Sequence, residues 1–298
     1  MSTGTVFTEK AFAKVNLTLE ILGKRRDGYH NLASVMQTVD LFDTLSLSHS
    51  DDVIVTCDDA EITPEINLAT KAANVLRQRT GISAGATIAI EKNIPVSAGL
   101  GGGSTDAAAT LRGLNRLWRL GLSLDELTEI GAEIGSDVPF LIRGGTSLVQ
   151  GRGEDVTPIA PAKVPRFLIL TPDVDLENPT AKTASVFSHV IESMFTAGNL
   201  SHKLAARIRA GSDCPPEFFF NQFGTITETL FPGWTAQRDQ LMSLGARDVM
   251  LCGAGPSMFT VPPSKELGTA WHLLLTSVQG KRAFLVDPSP AISAEAGS

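Results

Sequence analysis

The stretch IPVSAGLGGGSTDAAATL, Ile94 to Leu111, holds four glycines in five residues, Gly99, Gly101, Gly102 and Gly103, directly before an alanine-rich run of helical composition. Glycine loses more conformational freedom on folding than any other residue, so such a cluster implies a backbone that must come close to something. The β-rich segment ATIAIEKNI, 86–94, precedes it. The whole then reads as a strand-to-helix loop whose exposed N–H groups and helix N-terminus converge on one point. An anion belongs at that point, and a phosphate chain suits it best. Ser104 and Thr105 add hydroxyls that can donate to the anion or reach a metal. Neither of two familiar phosphate loops matches the spelling. No lysine follows the glycines, as G-x-x-x-x-G-K-[ST] requires, and Ser104 stands where G-x-G-x-x-G needs its last glycine.

The rest of the composition narrows the partners. A chain of 298 residues with 43% hydrophobic content supplies an ordinary core for one large or two average domains. Its apolar runs are too short for a membrane span of about 20 residues. The opening MSTGTVFTEK has no basic segment followed by an apolar stretch, as a secretory signal would. These features predict a soluble, cytoplasmic protein. Three cysteines, Cys57, Cys214 and Cys252, without a C-x-x-C pair argue against a disulfide framework and a structural zinc site. A net charge of −7 gives no general attraction to nucleic acid or to an anionic membrane. Any phosphate must be caught locally.

Along the chain, residues 14–22 (KVNLTLEIL) alternate, with Val15, Leu17, Leu19 and Ile21 on one face and Lys14, Asn16, Thr18 and Glu20 on the other. That pattern predicts a half-buried strand. After the turn-like GKRRDGYHN come three separate β-rich pieces, SVMQTV, DTLSLS and DVIVTC. NLATKAANVLRQR, 67–79, has a helical stripe at Leu68, Ala72, Val75 and Leu76 and ends at Gly81. A further helix starts at a capping box, Ser123 with Glu126, and Pro139 is expected to end the helical region. Strands are expected at LIRGG and TSLVQG. The tract TPIAPAKVPRF, 157–167, predicts a domain boundary, with domains at 1–162 and 163–298. The second half reads as strand RFLILTP, helical pieces near 180–192 and 235–244, then strand DVMLC, turn GAGP, strand SMFTV, helix 265–278 and strand RAFLV. The end, PAISAEAGS, reads as a frayed tail.

The run P-x-x-x-G-L-G-G-G-S-x-D-A-A-A, Pro95 to Ala109, resembles the ATP-binding motif of the superfamily of galactokinase, homoserine kinase, mevalonate kinase and phosphomevalonate kinase. AKVNLTLEILGKRRDGYHNLASVMQTVDLFDTL, IGSDVPFLIRGGTSLVQGRGE and LCGAGPSMFT resemble that superfamily's cytidyl-alcohol kinases of the non-mevalonate route to isopentenyl diphosphate. The resemblance implies an α+β fold of two domains, ribosomal-protein-S5-domain-2-like then ferredoxin-like, with the active site in the cleft between them. It implies ATP-dependent phosphorylation of the 2-hydroxyl of 4-diphosphocytidyl-2-C-methyl-D-erythritol. ATP would be held by Pro95, Val96, Ser97, Ala98, Gly99, Leu100, Gly101, Gly102, Gly103, Ser104 and Thr105, with Gly253 and Gly255 from the second domain.

By the same resemblance Asp137 takes the proton of the acceptor hydroxyl, and Lys14 pairs with it and with the transferring phosphate. Asn16 shares the face of Lys14, as strand periodicity alone dictates, so both side chains can meet the substrate together. On the residues alone, Asp137 has a turn residue as its alternative and Lys14 a solvated strand face. Tyr29, the only tyrosine, and His30 follow an Asp-Gly turn, and the resemblance gives them the cytosine, with Phe187 and Thr183 nearby. The metal ligands are unknown: Mg2+ should arrive with ATP on phosphate oxygens and water, with Ser104 as a candidate. Two departures stand out. Cys252 and Ala254 replace small hydroxyl residues in the glycine turn, and Gln222 and Gly224 in FFNQFG replace two carboxylates. A kinase for another small alcohol, of homoserine or mevalonate type, and a non-catalytic nucleotide-binding paralogue are the alternatives. Monomer and homodimer both stay open.

Overall fold

The computed structural model describes residues 6–174 and 182–292. Its first element is a long antiparallel ribbon of β1 (Phe7–Lys24) and β2 (His30–Ser50). The ribbon turns through Arg25–Tyr29, where Gly28 takes a φ of +88°. β2 is one 21-residue strand, where SVMQTV and DTLSLS predict two. Partners on its free side keep it extended throughout. Its first part pairs with β5 (Thr146–Gly151) and its last part with β4 (Gly85–Glu91). β3 (Val53–Cys57) lies parallel to β4, the two joined by the crossover helix α1 (Leu68–Thr80). Asn67 caps α1 by accepting the Ala69 N–H at 2.9 Å, and Gly81 ends it at a φ of +70°. Its buried stripe is Ala69, Ala72, Ala73 and Leu76, so the predicted Leu68 and Val75 sit at the stripe's edge.

Helices α2 (Gly102–Leu117), α3 (Leu124–Ala132) and α4 (Val138–Arg143) follow β4, and β6 (Asp155–Pro158) closes the first half against β5. The Ser123–Glu126 capping box is present at α3. Two expectations are corrected here. Residues of LIRGG lie in and just after α4 and form no strand. Pro139 does not stop a helix either, because it occupies the first turn of α4, where its missing N–H costs no hydrogen bond.

The second half contributes β7 (Phe167–Thr171), α5 (Lys182–Ser188), α6 (Asn199–Arg209), β8 (Phe220–Asn221), α7 (Thr227–Leu230), α8 (Trp234–Ser243), β9 (Met250–Leu251), β10 (Met258–Thr260), α9 (Lys265–Leu273) and β11 (Arg282–Val286). Residues 180–181 of the expected helix near 180–192 lie outside the described residues. Four of these strands form an antiparallel sheet in the order β11-β7-β10-β9. With helices between β7 and β9 and between β10 and β11, this is the split β-α-β-β-α-β arrangement called ferredoxin-like. β8 leaves that sheet and pairs parallel with β1, Thr18 opposite Phe220. The chain passes from the first sheet to the second between Pro158 and Phe167, and we propose the domain boundary at 162/163 within that stretch.

The half-buried strand predicted for residues 14–22 is corrected as well, because both faces of β1 are buried. Lys14, Asn16, Thr18 and Glu20 are no more exposed than Leu19 on the apolar face. The second half of the chain covers the polar face. Glu20 accepts the Ser201 N–H at 2.7 Å from α6 and the Thr196 hydroxyl at 3.0 Å. Of the tail PAISAEAGS only residues 290–292 are described, and there the Ile292 N–H donates to the Arg143 carbonyl at 2.8 Å. Residues 293–298 and 1–5 lie outside the described residues. Among the described residues no helix is long and apolar enough to cross a membrane.

The second sheet leans on a chain of rings in which fully buried Phe259 lies 5.6 Å from Phe167 and 5.9 Å from Phe219. Phe259→Ala should therefore cost about 3–5 kcal/mol of stability, read as a lower urea midpoint at unchanged m-value.

Candidate active site

The glycine loop runs from β4 into α2 over two tight positions. Gly99 takes a φ of +85° and Gly101 one of +79°, and Gly101 begins α2 without a side-chain cap. The amides of Gly102, Gly103 and Ser104 start the helix and have no carbonyl one turn back to bond. The Thr105 amide is already given to the Gly101 carbonyl at 2.8 Å, and Thr105 is buried. Ser104 is thus the more accessible of the two candidate hydroxyls. Pro95, Ala98 and Leu100 are buried beneath the loop, whereas Val96 and Gly103 are exposed and Ser97 is half-buried at a φ of +55°.

The turn Cys252–Ser257, between β9 and β10, presses on this loop. The Ser257 N–H donates to the Ala98 carbonyl at 3.1 Å, and a Cβ on Gly99 would stand 2.0 Å from the Cys252 carbonyl oxygen and 2.8 Å from that of Gly255. Cys252 and Ala254 bring no hydroxyl, so the contact is made by backbone. Asn221 on β8 steadies it, its amide nitrogen donating at 2.9 Å to the carbonyls of both Leu251 and Gly253. FFNQFG therefore has an orienting role through Asn221, although Gln222 and Gly224 lack carboxylates.

Lys14 meets both glycine elements. Its backbone N–H donates to the Leu100 carbonyl at 3.0 Å, and its stem lies against Gly101. Its Nζ donates to Asn16 Oδ1 at 2.8 Å and lies 3.4 Å from Asp137 Oδ2. Asn16 is held in turn by donating to Ser34 Oγ at 2.8 Å. Asp137 sits just before α4, its side chain 28% exposed against 5% for Lys14, so the carboxylate faces the opening and the ammonium lies behind it.

The cytosine candidates differ in burial. His30 is buried and stacks on Phe187 with ring centroids 5.4 Å apart, and Phe187 meets Phe223 edge-on at 5.0 Å. Burial and the nearby Lys24 hold the His30 pKa below its usual value, so the ring is neutral at pH 7 with one donor and one acceptor nitrogen. Tyr29 is 51% exposed, and the Arg152 guanidinium lies 5.2 Å from its ring centre. Thr183, at the start of α5, is exposed.

Sequence reasoning missed two groups. Lys182, buried at the start of α5, donates to the Gly255 carbonyl. Under the loop, Lys92 Nζ lies 2.6 Å from both Asp43 Oδ2 and Asp106 Oδ2. Burial raises the Asp106 carboxyl to about 7, and its Oδ1 is buried without a hydrogen bond. Asp106 does lie inside the quoted motif, but the motif does not reveal which side chain it opposes. Among the described residues no group of three His, Cys, Asp or Glu side chains could hold a metal.

Comparison with known proteins gives a consistent family. The model for the GHMP kinases N terminal domain matches residues 67–145. The chain is 40% identical to the 4-diphosphocytidyl-2-C-methyl-D-erythritol kinase of Dehalococcoides mccartyi over 282 residues, 94% of this chain and 98% of that one. It superposes on a crystal structure of 4-(cytidine 5'-diphospho)-2C-methyl-D-erythritol kinase with a TM-score of 0.76 at 27% identity, covering 94% and 98% of the two chains. It also superposes on homoserine kinase from Cytophaga hutchinsonii, with a TM-score of 0.73 at 18% identity over 98% and 96%. That last likeness is one of fold alone.

The loop-to-turn contact separates two glycines by their surroundings. Gly99→Ala should destabilise the protein by more than about 2 kcal/mol, through a collision with backbone and a φ that alanine disfavours. Gly103→Ala, whose Cβ would meet only Leu68 Cδ1 at 3.7 Å, should stay within about 0.5 kcal/mol of the parent in the same thermal melts.

Proposed function

The chain belongs to the 4-diphosphocytidyl-2-C-methyl-D-erythritol kinase family, and from that premise we propose how its residues divide the transfer of the γ-phosphoryl of ATP to the substrate's 2-hydroxyl. The observation that carries the reading is the Lys14–Asp137 pair, 3.4 Å apart, beside the glycine loop. Phosphoryl transfer asks the protein mainly to position the two substrates and to neutralise charge on the moving group. The amides of Gly102, Gly103 and Ser104 and the N-terminal end of α2 bind the phosphate chain. Gly99 and Gly101 shape the loop's two tight positions, and Gly253 and Gly255 bring the opposing backbone close.

Asp137 then accepts the proton of the 2-hydroxyl as the oxygen attacks the γ-phosphorus, and ADP leaves. Lys14 orients that carboxylate and offers its remaining N–H groups to the phosphoryl oxygens. Asn16 fixes the ammonium from behind, through the chain to Ser34. The cytosine is held by neutral His30, backed by Phe187, with Tyr29 and Thr183 at the edge of the same subsite. Magnesium enters as the ATP complex. Oxygen donors would suit it, and the half-buried Ser104 at the start of α2 would hold it together with phosphate oxygens and water. The reading places the enzyme in the cytoplasm, with its ATP supply.

Two measurements test these roles. Asp137→Asn should lower kcat by a factor on the order of 10² or more in a coupled ADP-release assay, with affinity for a non-hydrolysable ATP analogue nearly unchanged; retained turnover would remove the carboxylate from the mechanism. Cytidine diphosphate should compete with the cytidyl alcohol, and His30→Ala should raise KM at least about tenfold with a smaller effect on kcat. Competition equally strong from uridine diphosphate would refute the assignment of the base subsite.

A further inference from the structure

Lys182 is buried at the start of α5, and its Nζ donates to the carbonyl of Gly255, whose backbone lies against Gly99 of the glycine loop. The charged and titratable groups facing it are Lys14 from β1, Asp137 from the turn before α4, and the Cys252 thiol of the glycine turn. The one carboxylate among them is already engaged by Lys14. Among the described residues no carboxylate comes within ion-pair distance of Lys182. An ammonium carries three donors, and a single carbonyl does not offset the cost of burying its charge. Burial first, and repulsion from Lys14 second, lower the Lys182 pKa to about 7. Since Cys252 and Ala254 bring no hydroxyl, Lys182 supplies a side-chain donor at this turn.

We propose that Lys182 is a second phosphate-binding cation of the site, its ammonium contacting the nucleotide's phosphate chain where the glycine loop meets the turn. The proposal rests on the kinase reading above. The two glycine elements touch at Gly99 and Gly255, and Lys182 reaches that junction from the start of α5. The phosphates supply the counter-charge that the residues around Lys182 do not. Their arrival favours the protonated amine, so binding must draw a proton from solution whenever Lys182 starts out neutral. At pH 8, above its value of about 7, Lys182 is mostly neutral before binding. At pH 6 it is already charged.

The test is calorimetry of the full chain with magnesium and a non-hydrolysable ATP analogue at pH 8, in buffers of different ionisation enthalpy. The parent should take up roughly half to one proton, and Lys182→Met should take up none while binding at least about tenfold more weakly. Lys182→Arg, charged at every pH used, should restore affinity without proton uptake. A lysine that only props the turn would leave the uptake of the Met variant unchanged, which overturns the proposal. So would absence of uptake in the parent, a measurement that stands even if the Met variant fails to fold. Parent protein that releases ADP with the cytidyl alcohol yet takes up no proton refutes Lys182 alone. Parent protein that takes up the proton but never turns over refutes the kinase reading and leaves the phosphate contact standing.

Discussion

The cleft depends on one backbone contact, the Ser257 amide on the Ala98 carbonyl, with Gly99 pressed against the turn that begins at Cys252. Side chains could not make it, because a single Cβ at Gly99 already overlaps the opposing carbonyl. The contact joins the two sheets at the place where each ends in a glycine-rich reversal. Lys14 is tied to the same loop by its own amide, so the ammonium's position follows from the loop rather than from a flexible stem. Asn221 carries the constraint further, reaching from β8 beside β1 to two carbonyls of the second sheet. A site assembled this way is already shaped before any ligand arrives, which is what orientation-dominated catalysis requires.

Buried charge fixes the loop from below. Asp43 Oδ1 accepts the amides of Asn93 and Ile94 at 2.6 and 2.8 Å, while its other oxygen meets Lys92. Asp106 brings α2 to the same ammonium. Two carboxylates share one lysine, and the resulting excess of negative charge under a phosphate loop is relieved when burial keeps Asp106 protonated over part of the neutral range. Truncating Lys92 would leave two buried carboxyl groups without their shared cation, the most damaging kind of polar substitution, whereas loss of either carboxylate would leave Lys92 paired with the other.

Local signals in the sequence were legible wherever chemistry and geometry coincide within a few residues. The glycine spacing at 99–103, the Ser123–Glu126 cap and the alternation of KVNLTLEIL each identify a local element, and the order of strands in the second half yields its four-stranded sheet. What was not legible depends on partners distant in the chain. Alternation cannot reveal that α6 covers the polar face of β1, so Glu20 looked solvated although it holds Ser201. Pro139 looked like a stop because a proline's effect depends on which turn of the helix it occupies. Lys182 and Lys92 carried no signal, since a lone lysine gains meaning only from what surrounds it.

The two ends of the cleft differ in charge, and that difference bears on selectivity. At one end burial and the nearby Lys24 keep His30 neutral, offering a donor and an acceptor to a base edge beside Phe187. At the other, Lys14 and Lys182 face a single carboxylate, so the local charge becomes positive as Lys182 takes up its proton, in a chain whose net charge is −7. A ligand with an uncharged ring and a polyanionic tail is thereby oriented before any specific hydrogen bond forms. Reversing it would take the phosphates away from the glycine-loop amides, Lys14 and Lys182 and set them against the buried His30–Phe187 stack, so the pattern favours the productive orientation over its reverse.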